Sequence, residues 1–186
     1  MADALRRPVL DGVAMPRNRA AATFACARAT RFILRGGAEA AALAGPAFGA
    51  APPREPLRSA TEGPRSALWL GPDEWLLLAE DEAPGLGAAL EAALGAAPHA
   101  LVDVSHRNDA LEVTGPGGAR MLNAGVPLDL DLSAFPVGMV VRTLLTKAEI
   151  TLWRRAPDHF RVEFQRSFGP YVAAILAQAA GDQELC

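Results

Sequence analysis

Residues 135–168 read FPVGMVVRTLLTKAEITLWRRAPDHFRVEFQRSF, and how this stretch is read decides the fold. After Leu145, Ala148, Ile150 and Leu152 fall on one side of an extended chain. Lys147, Glu149, Thr151 and Trp153 fall on the other. Further on, Phe160, Val162 and Phe164 share a side opposite Arg161, Glu163 and Gln165. Period-two alternation on both arms predicts an antiparallel hairpin with one buried and one solvated face. Charge selects the register. With Ile150 opposite Phe164, Leu152 meets Val162, Thr151 meets Glu163 and Trp153 meets Arg161. A slip of two residues would set Glu149 against Glu163, a like-charge pair that is disfavoured. The preferred register leaves a three-residue loop, Ala156-Pro157-Asp158, between Arg155 and His159. It also predicts the Arg161 guanidinium over the Trp153 ring. Lys147, Glu149, Arg161 and Glu163 are therefore expected to be exposed. Trp153, an aromatic on a polar face, stands out as a partner-docking anchor beside Lys147, Glu149 and Arg161.

Working outward, the segments on either side repeat the same alphabet of short strands and helices. "TRFILRGG" (30–37) predicts a strand ended by glycines. "AEAAALAGPAFG" (38–49) starts as a helix that Gly45-Pro46 should break. "APPREP" (51–56) is a connector. "SALWLGPDEWLLLAE" (66–80) reads as strand, turn, strand, with Gly71-Pro72-Asp73 supplying turn chemistry. Leu86, Leu90 and Leu94 place one apolar stripe on a helix over 83–97. Strands follow at 99–107 and 109–115, a short helix at 116–125, and an irregular stretch at 126–138. Residues 167–180 close the chain as a helix that Ser167 or Gly169 can cap, with Pro170 in its first turn. The pattern is α+β: antiparallel strand pairs with helices packed on one face. Residues 1–28 are expected to be an irregular arm. Residues 29–182 form the main unit, with two similar halves suggested by "LWLGPDEW" and "LEVTGPGG" and a connector near 50–65.

Composition narrows the function classes. The chain has 186 residues, 51% of them hydrophobic, enough to bury a sizeable core. Its formal charge of −3 argues against nucleic acid as a partner, since phosphate binders carry a basic excess. No apolar run is long enough to span a bilayer, and arginines interrupt the N-terminal apolar stretches, so neither a membrane partner nor a signal peptide is expected. Cys26 and Cys186 belong to no metal-ligand or disulfide pattern, which suits a reducing cytoplasm.

Each reactive-looking constellation also has a structural explanation. "VDVSHR" holds Asp103, Ser105 and His106, but neighbours on a strand point to opposite faces, so Ser105 and His106 cannot act as nucleophile and base. Asp103 and Ser105 are expected to satisfy nearby backbone. "GPGGAR" (115–120) follows a strand and opens a helix, yet it lacks both the dinucleotide glycine pattern and a Walker lysine. Asp129 and Asp131 in "LDLDL" read as part of a short edge strand. His99, His106 and His159 show no ligand spacing. No catalytic, cofactor-binding or metal residue is assigned.

Taken in order, "LWLGPDEWLLL", "VDVSHR", "LEVTGPGGARMLNAGVPLDLDLSAFPVG", "VRTLLTKAEITLWRRAPDHFRVEFQRSF" and the closing helix resemble the gamma subunits of heterotetrameric sarcosine oxidases, over residues 66–180. The resemblance implies a fold like the folate-binding part of the glycine-cleavage aminomethyltransferase. It implies a non-catalytic gamma subunit in an enzyme that oxidatively demethylates sarcosine to glycine and hands the one-carbon unit to tetrahydrofolate. It further implies that FAD, FMN, NAD, zinc and tetrahydrofolate sit on partner subunits, with the large alpha subunit as main partner and beta and delta beside it. Two alternatives stay open: a freestanding folate-binding aminomethyltransferase-like protein, and the equivalent subunit of another N-methyl amine oxidising complex. The assembly-factor branch of that fold carries a "KGCYxGQ"-like signature, and nothing here resembles it.

Overall fold

The hairpin and the strands before it condense into two antiparallel five-stranded sheets. The structure is a computed structural model that describes residues 9–10, 22–81 and 83–182. Its strands are β1 (Thr23–Cys26), β2 (Thr30–Gly36), β3 (Ser59–Glu62), β4 (Arg65–Gly71), β5 (Glu74–Ala79), β6 (His99–Asp103), β7 (Asn108–Thr114), β8 (Val140–Leu145), β9 (Ala148–Ala156) and β10 (His159–Gln165). The helices are α1 (Ala38–Phe48), α2 (Leu86–Leu94), α3 (Gly118–Asn123) and α4 (Gly169–Asp182). One sheet runs β1-β7-β10-β9-β8 and the other β3-β4-β5-β2-β6.

The chain divides into two compact units that do not follow sequence order. The first takes Met1–Arg28, His106–Val137 and Arg142–Cys186; the second takes Ala29–Ser105 and Gly138–Val141. The connector expected near 50–65 thus lies inside the second unit and divides nothing. In that unit, β2, β4 and β5 turn Phe32, Leu34, Ala67, Trp75, Leu77 and Ala79 toward α1 and α2. Leu86, Leu90 and Leu94 of α2 and Ala40, Ala41, Ala44 and Phe48 of α1 complete this core. The leucine stripe therefore does what its spacing predicts.

In the first unit, α3 approaches the sheet closely. A Cβ on Gly118 would stand 3.4 Å from Val113 Cγ1 and 3.8 Å from Phe160 Cδ2, ordinary contact distances, so the start of the helix packs on that face. The Phe135 ring lies 6.5 Å from the Phe160 ring, bringing the segment before β8 onto the same side. Val172 and Leu176 of α4 are fully buried.

Several expectations need correction. Residues 23–26 are not an irregular arm but a strand paired with β7; residues 1–8 and 11–21 lie outside the described residues. Helix α1 does not break at Gly45-Pro46 but runs to Phe48. Proline removes one intrahelical bond near the C-terminus, and burial of Phe48 and a left-handed Gly49 cap (φ 90°, N–H to the Gly45 carbonyl) hold the last turn. Asp129 and Asp131 are not on a strand. Their carboxylates accept the backbone N–H groups of Asp131 (2.8 Å) and Ser133 (2.9 Å), so each closes a side-chain turn. Strand β6 stops at Asp103, whose Oδ1 accepts from Ser105 N (2.8 Å).

Candidate functional site

The hairpin forms in the register chosen by charge. Arg161 stands opposite Trp153, Val162 opposite Leu152, Glu163 opposite Thr151 and Phe164 opposite Ile150. The turn is tighter than the expected three-residue loop, because Ala156 pairs with His159 and leaves Pro157-Asp158 between them. A register shift at His159/Phe160 takes up the extra residue on β9.

The part of the polar face around Trp153, Arg161 and Glu163 is buried, not solvated. Trp153 is 3% exposed, Arg161 1% and Glu163 2%. Trp153 and Arg161 therefore cannot serve as exposed anchors of a docking surface. Lys147 and Glu149 are exposed as expected, with Lys147 in the β8–β9 turn. The reason is local neutralisation. β7 pairs with β10 so that Glu112 stands directly beside Arg161. Glu112 Oε1 accepts from Arg161 Nη1 (2.9 Å) and Arg155 Nη1 (3.0 Å). Its Oε2 is hydrogen-bonded to His159 Nε2 at 2.7 Å. Glu163 Oε1 accepts from Arg161 Nε at 2.7 Å. Two arginines thus face two glutamates, and the formal charges cancel. Alternation reported the chemistry of each face correctly, but paired charges can be buried where isolated ones cannot.

The cation over Trp153 is Arg155, 4.9 Å from the ring, and not Arg161, whose guanidinium is turned to the glutamates. Trp153 Nε1 is buried with no hydrogen-bond partner among the described residues. Glu112 was missed because its role depends on a strand pairing that joins residues 112 and 161, which no local pattern reports.

Arg154 was missed too, although a signal existed: it continues the apolar row of Ile150 and Leu152. It is 2% exposed, lies 4.4 Å over the Phe160 ring and 6.0 Å over Phe135, and donates from Nη1 to the Phe135 carbonyl and from Nη2 to the Leu130 carbonyl, both 2.7 Å. Burial pushes its pKa down. It fixes the segment between α3 and β8 from below.

The remaining candidates are structural. Ser105 Oγ accepts from Arg31 N (2.8 Å), and Asp103 caps the Ser105 amide, so both serve backbone. His106 is exposed. His99 donates from Nδ1 to the Ala97 carbonyl (2.7 Å) and pairs through Nε2 with Glu91 (2.9 Å). Those contacts, the carbonyl bond first, raise its pKa. The six-residue α3 after "GPGG" has no side-chain cap bond. Cys26 is exposed and in no disulfide; Cys186 lies outside the described residues. Among the described residues no three His, Cys, Asp or Glu side chains converge as metal ligands, and no helix is long and apolar enough to cross a membrane.

Comparison with known proteins places these features. The profile of the family described as "Sarcosine oxidase, gamma subunit family" matches residues 35–182. A sarcosine oxidase subunit gamma from Arthrobacter sp is 36% identical over 164 residues, covering 87% of this chain and 77% of that one. Its counterpart from Corynebacterium sp. (strain U-96) is 34% identical over 117 residues, covering 63% of this chain and 57% of the relative. A chain of the heterotetrameric sarcosine oxidase from Corynebacterium sp. U-96, solved in complex with pyrrole 2-carboxylate, superposes with a TM-score of 0.87 at 30% identity over 95% of both chains. Aminomethyltransferase T of the glycine cleavage system from Bartonella henselae superposes at 0.65 with 14% identity, over 84% of this chain and 45% of that one. The last is a likeness of fold alone.

Proposed function

The chain belongs to the sarcosine oxidase gamma subunit family, and from that premise we propose that it is a non-catalytic subunit of a heterotetrameric sarcosine oxidase. In this reading the assembly oxidises the N-methyl group of sarcosine, releases glycine and passes the one-carbon unit to tetrahydrofolate. FAD, FMN, NAD, zinc and tetrahydrofolate are held by the partner subunits, a large alpha subunit together with beta and delta. The complex works in the cytoplasm, whose reducing poise suits an exposed thiol at Cys26.

The observation that carries the reading is the superposition over 95% of both chains on a member of such an assembly. The internal chemistry supports it. Glu112 and Glu163 are engaged by arginine donors, and Ser105 and Asp103 by backbone amides. Groups engaged in this way brace the scaffold.

The test is reconstitution. Partner subunits expressed with this chain, carrying an affinity tag on it, should co-purify as a yellow flavoprotein that makes hydrogen peroxide from sarcosine. The chain alone should be colourless and inactive, and should show no heat of binding with tetrahydrofolate. A complex that is stable and fully active without this chain would sink the proposal. Tetrahydrofolate binding by the isolated chain would move the function to a freestanding folate protein.

A further inference from the structure

Residues 126–137 join α3 to the approach to β8 without regular structure. Irregular segments of this length are uncommon in compact proteins and are usually functional. This one is built to stay in place. Leu130 and Phe135 are each 1% exposed, and Arg154 takes the carbonyl of both. The Asp131 carbonyl accepts from Ala134 N and Phe135 N, and Asn123 Nδ2 donates to the Leu128 carbonyl. Asp131 Oδ1 accepts from Ser133 N (2.9 Å) and Ser133 Oγ (2.6 Å).

The outward half of the same segment carries two apolar side chains that the fold does not bury. Leu132 is 47% exposed and Val137 45%, two of the six large hydrophobic side chains exposed among the described residues. Asp129 and Asp131 are exposed beside them, and residues 125–139 contain no lysine or arginine. The charge of Arg154 lies buried underneath, so an approaching surface meets the two carboxylates and the two apolar side chains. A rigid loop loses little freedom on binding, and that lowers the cost of association.

Resting on the reading of the chain as a subunit, we propose that residues 126–137 are a preformed docking knob. Leu132 and Val137 enter an apolar pocket on a partner subunit, and arginine or lysine side chains at its rim meet Asp129 and Asp131. Charge selects this occupant over a second copy of the chain. In a two-fold contact between copies, the same acidic loop would face itself and set carboxylate against carboxylate.

The experiment titrates the complex of partner subunits, prepared without this chain, with the full chain and its variants. Leu132→Asp should weaken binding by about tenfold or more, as expected for an apolar anchor. Its unfolding curve should match the parent's, because Leu132 is exposed. Val102→Asp, at the exposed β6 edge of the other unit, should leave affinity within about twofold, the range of peripheral contacts. Wild-type affinity should fall as salt rises, since rim charges are screened. Equal binding by Leu132→Asp and wild type would overturn the knob and leave the subunit reading intact. Salt-independent affinity would overturn the basic rim. Self-association of the isolated chain that Leu132→Asp abolishes would make a second copy the occupant, against the proposal. Failure of the wild-type chain to bind the partner complex at all would instead remove the subunit reading, and the knob with it.

Discussion

Substituting Glu163 by leucine tests why a charged row can be buried. The change keeps the volume roughly constant and removes one of two negative charges from a row with two arginines. Arg161, 1% exposed, loses the 2.7 Å acceptor of its Nε and keeps Glu112. Breaking a buried ion pair from one side costs about 3–5 kcal/mol. The lower end applies here, because Glu112 remains to share the charge. At about 2–4 °C per kcal/mol for a chain of this size, Tm should fall by about 6–12 °C. Urea melts of the full chain give the free energy directly. The Arg35–Glu74 pair, 2.9 Å apart with the Arg35 side chain exposed, is the control: Arg35→Ala should leave the curve close to the parent's, because water screens the arginine. The double variant Arg161→Leu/Glu163→Leu should lose less than the sum of its singles, since it restores the balance between Arg155 and Glu112. A Glu163→Leu protein within about 1 kcal/mol of the parent, or strictly additive singles, would refute the argument that mutual neutralisation holds this row in place.

Two further outcomes follow from burial and titration. Trp153→Ala should destabilise the chain by about 3–5 kcal/mol, while Trp153→Phe keeps most of the packing. Any assembly defect of the alanine variant should then track its unfolding, and a defect at full stability would restore Trp153 as a contact residue. His99 has its pKa raised by the Ala97 carbonyl and Glu91. A raised folded-state value means that its stabilisation is complete below the unfolded value near about 6.5 and is lost as pH rises through the folded value. Stability of the parent should therefore decline relative to His99→Gln on raising the pH from about 6.5. Parallel curves for the two proteins would contradict the assignment.

Much of the fold was legible where one segment carries its own partner. The hairpin register followed from which charges would face each other, and the α2 stripe followed from leucines four apart. The β4–β5 turn followed from Pro72-Asp73. What was hidden depends on residues distant in sequence. Nothing near Thr23 announces that it will pair with Thr114. Nothing near Arg161 announces Glu112. The polar face looked solvated because its neutralising glutamate comes from β7, 49 residues earlier. Arg154 was readable in part, as a cation in an apolar row. Its two carbonyl partners were not, since an irregular segment has no period to reveal which atoms point inward. The exposure of Trp153 and Arg161 was misjudged for the same reason: it was inferred from polarity, and polarity there marks a satisfied interior, whereas Lys147 and Glu149 are exposed as read.

The order of the chain through its two units bears on how the protein comes off the ribosome. Nearly all of the second unit is one continuous run, Ala29–Ser105. Its strands and α1 and α2 can meet soon after they emerge, with short loops to close. The first unit must wait. Strand β1 leaves the ribosome early, but its partner β7 comes more than eighty residues later, and β7 in turn needs β10 on its other side. Until then the apolar side of β1, with Phe24, has no sheet to join. A pause or truncation after residue 105 would release one finished unit trailing an unpaired strand, a species prone to pair with the wrong chain.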